Sequence, residues 1–129
     1  MLKPDHITIN VKDMKKSEVF YGEILGLRKL DIVDMGDHRL HYYELSEGLL
    51  LELIEYDDDL GELHPNVKTR GIYRHLALGC DDVDALYKKL ADRGVRILSS
   101  PDDVPKLRFR NILAEDPNGV ELEFVTRYW

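Results

Sequence analysis

Two histidines and a small set of glutamates stand at positions from which strands would aim them at a common point. His6 opens the segment Asp5-His6-Ile7-Thr8-Ile9-Asn10-Val11, and His75 opens Arg74-His75-Leu76-Ala77-Leu78-Gly79-Cys80. Glu52 lies inside Leu49-Leu50-Leu51-Glu52-Leu53-Ile54, the most apolar run of the chain, while Glu121 and Glu123 alternate with Val120, Leu122 and Phe124. An unpaired carboxylate costs several kcal/mol to bury, so Glu52 calls for a cation. Taken singly, a strand histidine is more often a surface or hydrogen-bonded core residue. A single glutamate can equally face solvent at a sheet edge or pair with an arginine such as Arg74. The spacing favours a metal: His6 precedes Glu52 by 46 residues and His75 precedes Glu123 by 48. Two imidazoles and two carboxylates suit one divalent ion, with Ni, Zn, Co, Mn and Fe all compatible with that donor set. Glu121, two residues from Glu123 on the same face, remains a competitor at this level.

The elements that must position these side chains come in two copies. The segment from Asp5 to Met14 aligns with that from Arg74 to Val83, each with a histidine followed seven residues later by an aspartate, Asp13 or Asp82. Internal repetition on this scale signals two like supersecondary units. A helical pattern follows each aspartate, Lys15 to Leu25 before Gly26 and Val83 to Arg93 before Gly94, glycine being the usual helix stop. Strand patterns come next: Leu27 to Val33, Arg39 to Leu45 and Leu49 to Tyr56 in the first copy. The second copy offers Val95 to Leu98, Arg108 to Ala114 and Val120 to Thr126. Ser46-Glu47-Gly48 and Glu115-Asp116-Pro117-Asn118-Gly119 read as turns. The expectation is an α+β fold of two paired βαβββ modules forming a curved mixed sheet around a metal site. It is one domain over 1–129, with module 1 at about 1–56, a linker at about 57–73 and module 2 at about 74–129. Period-two alternation puts Ile7, Ile9 and Val11 toward the helix, and His6, Thr8 and Asn10 on the concave face. Leu76 and Leu78 divide from His75, Ala77 and Gly79 in the same way, and Leu122 and Phe124 from Glu121 and Glu123.

Other candidates carry less. His38 and His41 are three apart on a strand, hence on opposite faces, and read as surface residues. His64 falls in the linker and reads as solvent-facing. Tyr42 and Tyr43 are expected to divide between pocket and core. Cys80 is the only cysteine, which excludes an intrachain disulfide and a cysteine-based zinc site, and at a strand end it reads as a small hydrophobe. No phosphate-binding glycine loop, zincin helix or nucleophile elbow is present. A net charge of −7 argues against nucleic acid or an anionic membrane as partner. Lys106, Arg108 and Arg110 make one basic cluster, enough for a small anionic ligand. With no apolar run long enough to span a bilayer and no leader-like start, the chain reads as cytoplasmic.

These segments resemble the vicinal oxygen chelate superfamily, which includes glyoxalase I, methylmalonyl-CoA epimerase, extradiol dioxygenases, and fosfomycin and bleomycin resistance proteins. The resemblance rests on Asp5-His6 through Met14, Phe20-Tyr21 to Leu25-Gly26-Leu27, Leu51-Glu52-Leu53, Arg74 to Leu78, and Asp116-Pro117-Asn118-Gly119-Val120-Glu121-Leu122-Glu123-Phe124. In that family the metal-binding glutamate usually falls four residues after the turn glycine, which implies Glu123 rather than Glu121. The same matching implies His6, Glu52 and His75 as the other ligands. The implied activity is that of a glyoxalase I-type lyase or isomerase: a divalent metal chelates two vicinal oxygens of a small-molecule substrate, and Glu123 moves a proton as the catalytic base. The alternatives within the fold are an acyl-thioester epimerase, an Fe(II) extradiol dioxygenase and a drug-sequestering binding protein. Asn10 stands where many glyoxalase I enzymes carry an arginine that helps hold glutathione, so the resemblance implies the metal chemistry without implying that thiol. A homodimer is the expected assembly, because modules in this family often close a cavity between chains.

Overall fold

The computed structural model describes residues 1, 3–59, 61 and 68–128. The chain divides into two compact units, Met1–Glu62 and Leu63–Trp129. His64 and much of the expected linker lie outside the described residues.

In the first unit β1 (His6–Asn10) leads into α1 (Met14–Glu18), a π-helical segment (Val19–Ile24), β2 (Arg28–Asp34), β3 (His38–Ser46) and β4 (Leu49–Tyr56). The strands lie in the order β1-β4-β3-β2, with β1 parallel to β4 and the other pairs antiparallel. The second unit repeats this plan with β5 (Leu76–Gly79), α2 (Val83–Asp92), β6 (Arg96–Val104), a 3₁₀ turn (Pro105–Leu107), β7 (Phe109–Glu115) and β8 (Glu121–Arg127), ordered β5-β8-β7-β6. The helix returns the chain to the sheet so that the first and last strands of each unit can run parallel. The expected fold class therefore holds: two βαβββ modules, each with a mixed four-stranded sheet.

The repeated aspartates have a local cause. Asp13 accepts the backbone N–H of Lys16 and Asp82 that of Ala85, both at 3.1 Å. Each is an N-cap occupying one of the donors that a helix start leaves free. Gly26 and Gly94 take φ of 73° and 72° after the helices, conformations a Cβ would disfavour. The first helix departs from the expected α-helix over Lys15 to Leu25. From Val19 it widens into a π-helix, with Leu25 N–H bonded to the Phe20 carbonyl and Leu27 N–H to that of Tyr21. This segment seats Phe20, Tyr21 and Ile24 in the core, with Gly22 approaching the Tyr43 ring.

The helix-facing sides of the sheets are the cores. In the first unit Tyr21, Tyr43, Leu51 and Leu53 are buried, and in the second Val83, Leu90, Ile112, Leu122 and Phe124. Three strand expectations shift. β6 runs to Val104 rather than stopping at Leu98. It is an edge strand with register shifts between Ile97 and Asp102, and an edge tolerates Pro101 because no neighbour needs its missing N–H. β7 starts at Phe109 because Arg108 adopts a left-handed φ of 58°. β5 starts at Leu76, so His75 stands just before its strand. No helix among the described residues is long and apolar enough to cross a membrane.

Candidate metal centre

The strand register of the first unit gathers a group around Glu52. β1 and β4 place Thr8 beside Glu52, and β3 places Tyr42 opposite it. Glu52 is 8% exposed, and both its oxygens accept hydroxyl hydrogen bonds: Oε1 from Thr8 at 3.0 Å and Oε2 from Tyr42 at 2.5 Å. Among the described residues no lysine or arginine pairs with it. The bond to Glu52, followed by burial, pushes the Tyr42 phenol up to about 12, so it remains a donor across the physiological range. His6 lies on the same face, two residues before Thr8. Its Nδ1 sits 2.6 Å from the Asp5 carboxylate. That bond, and more weakly the charge of Glu52, raises the His6 pKa above its ordinary value while desolvation opposes them. With Nδ1–H donating to Asp5, Nε2 is the nitrogen left to act as a ligand, an arrangement common where histidine binds metal.

The second unit presents the counterpart. His75 Nε2 is 3.4 Å from Glu123 Oε1, and the Asn111 side-chain amide donates to Glu123 Oε2 at 2.8 Å. His75 Nδ1 is buried without a hydrogen-bond partner. Glu121, the sequence-level competitor, pairs with Arg74, so two adjacent residues before β5 divide the two carboxylates of β8 between them. The phase of β8 is set by its turn: buried Asp116 accepts the N–H groups of Asn118 and Val120 at 2.8 Å each, and Gly119 takes a φ of 87°. Ala77, opposite Glu123 in register, leaves room on this face. It lines an open depression with Gly79, Cys80, Val125 and Thr126.

The four sequence-derived residues thus fall into two His–Glu pairs, His6 with Glu52 and His75 with Glu123, one in each unit. Among the described residues no three potential ligands converge. The donor chemistry fits a divalent ion: each unit offers an imidazole and a carboxylate, and Glu52 is a buried carboxyl group that no lysine or arginine meets among the described residues.

Three other expectations change. His41 is buried at 6%, not a surface residue, because it shares the helix-facing side of β3 with Tyr43. Its Nε2 lies 3.2 Å from Glu55 Oε1. Arg110 is not available to an anionic ligand, since it forms a two-point ion pair with Asp84 and reaches Asp103. His38 is half-buried, bonded to Asp37 and stacked on Tyr56. Burial pushes the Cys80 thiol up, in keeping with a packing role. The supporting residues Asp5 and Asn111 escaped the sequence reading. A carboxylate directly before a histidine was the available signal for the first; the second needs the β7–β8 register.

Residues 3–124 match the family model for the Glyoxalase/Bleomycin resistance protein/Dioxygenase superfamily. A probable lactoylglutathione lyase of Synechocystis is 30% identical over 127 residues, covering 93% of this chain and 92% of that protein. A glyoxalase/dioxygenase of Nostoc punctiforme superposes with a TM-score of 0.80 at 27% identity, covering 98% of this chain and 92% of the other. A glyoxylase/bleomycin resistance protein/dioxygenase domain of Frankia superposes with a TM-score of 0.81 at 22% identity, covering 98% of both chains. With the repeated fold and nearly the whole length matched, the chain belongs to the Glyoxalase/Bleomycin resistance protein/Dioxygenase superfamily.

Proposed function

We propose that this protein is a divalent-metal-dependent lyase or isomerase of the glyoxalase I type. His6, Glu52, His75 and Glu123 are the metal ligands, and Glu123 is the residue that moves a proton. The observation that carries the reading is Glu52, a buried carboxylate held by two hydroxyls with no basic side chain to offset it among the described residues. A buried charge of this kind needs a cation, and the histidine on its own face points to a metal. When bound, an ion such as Ni, Zn, Co, Mn or Fe supplies Lewis acidity toward two neighbouring substrate oxygens.

The chain's own groups handle the proton. Asn111 holds Glu123 by Oε2, leaving Oε1 to take a proton from one substrate carbon and return it to the next. Arg74 keeps Glu121 engaged elsewhere. The similarity to the Synechocystis protein named a probable lactoylglutathione lyase supports a thiol-derived substrate, such as the hemithioacetal of a 2-oxoaldehyde. Metal-loaded protein incubated with the hemithioacetal of a 2-oxoaldehyde and a thiol should form the isomeric hydroxyacyl thioester. Assays across several thiols, run in deuterated water and followed by thioester absorbance and mass, check this. Solvent exchange into an acyl thioester without hemithioacetal turnover would identify an epimerase instead. Neither turnover nor exchange by fully loaded protein would overturn the proton-transfer reading.

The same reading makes a second copy of the chain the expected partner. Sedimentation at micromolar concentration should give a dimer. A monomer that keeps its metal would show that the two pairs meet within one chain.

A further inference from the structure

The two half-sites hold their glutamates differently. In the repeat, Thr8 corresponds to Ala77, each beside the glutamate in the parallel pairing, and Tyr42 corresponds to Leu113, each opposite it in the antiparallel pairing. The first unit therefore carries a hydroxyl at both positions flanking its glutamate, and the second unit carries none. Glu123 is held instead by one amide, Asn111, from the diagonal position, and among the described residues its Oε1 faces His75 alone. Asn111 in turn corresponds to Leu40, so the two sets of support do not overlap.

We infer that Tyr42 and Thr8 are positioning residues that lock the Glu52 carboxylate in one orientation as a fixed metal ligand, and that their absence around Glu123 leaves that carboxylate able to turn. This rests on the metal-site reading above. Two donors on different oxygens fix both the plane and the position of Glu52, whereas a single donor on Oε2 leaves Glu123 free to rotate about that contact. Groups that orient metal ligands typically contribute about ten- to a hundredfold in metal affinity. They do so without touching the metal, so their effect is separable from ligand loss.

The test is Co(II) affinity by chelator competition, together with the visible absorption spectrum of the bound ion, in folded protein. Tyr42→Phe and Thr8→Val should each weaken Co(II) binding about tenfold or more and alter the absorption bands. Thr8→Ser, which keeps the hydroxyl, should bind like wild type. A purely structural role would lower the unfolding midpoint without changing affinity or bands. Wild-type affinity and bands in both Tyr42→Phe and Thr8→Val would overturn the inference while leaving the metal site standing. Absence of Co(II) binding by the wild type would overturn the metal-site reading, and this inference with it.

Discussion

Replacing Glu123 by glutamine should leave the metal bound and cost turnover about a hundredfold or more, the scale expected for loss of a general base. Glutamine retains a carbonyl oxygen able to coordinate and cannot accept the proton as a carboxylate does. Glu52→Gln should retain measurable turnover, because the two carboxylates are differently engaged. Both oxygens of Glu52 already accept hydroxyl donors, from Thr8 and Tyr42. Glu123 has one oxygen held by Asn111 and the other turned toward His75. No other free base shares the concave face of β8, since Glu121 is paired with Arg74. Turnover per bound metal for the two variants checks the assignment. Near wild-type turnover by Glu123→Gln, or a larger loss in Glu52→Gln, would reverse the roles.

The second large effect concerns the histidines. His6→Ala and His75→Ala should each reduce bound divalent metal to a small fraction of wild type, because each removes the imidazole that its half-site offers among the described residues. Three control substitutions should leave the metal content unchanged in folded protein. Glu121→Ala removes a carboxylate engaged by Arg74, and His38→Ala an imidazole bonded to Asp37 and stacked on Tyr56. His41→Ala acts on the helix side of β3, where the ring lies between Glu55 and Glu18, and its cost should fall on stability. Elemental analysis of the purified variants separates the two groups.

What was legible in the sequence came from repetition and period-two alternation. Those two signals located the first strand and helix of each module and the division of Ile7 and Ile9 from His6 and Thr8, while Pro117 and Gly119 marked the turn before β8. The aspartates that marked the repeat proved to be helix caps, a local function that sequence displays directly. What escaped depended on register. That Tyr42 faces Glu52 follows from pairing β3 with β4 through a turn containing Gly48 and a register shift after Glu44, which residue types alone do not specify. His41 was misread because a charged-looking strand, His38 to Ser46, has a buried helix side. Its polar ring is accommodated there by Glu55, which Arg39 and then His41 hold below the usual carboxylate range against the effect of burial. The basic cluster failed for a similar reason: Arg110 is adjacent in space to Asp84 of α2, a contact between elements 26 residues apart in sequence.

In the proposed centre two His–Glu pairs share one ion. The most direct test is the number of Co(II) ions bound per chain by purified, refolded apo-protein, measured by elemental analysis alongside a direct titration. One ion per chain, lost in both His6→Ala and His75→Ala, is the expected result, and it holds whether the pairs meet within a chain or between two. Two ions per chain, with each histidine variant losing only one, would mean that the half-sites act separately. No bound ion, or full occupancy in both variants, would contradict the site outright.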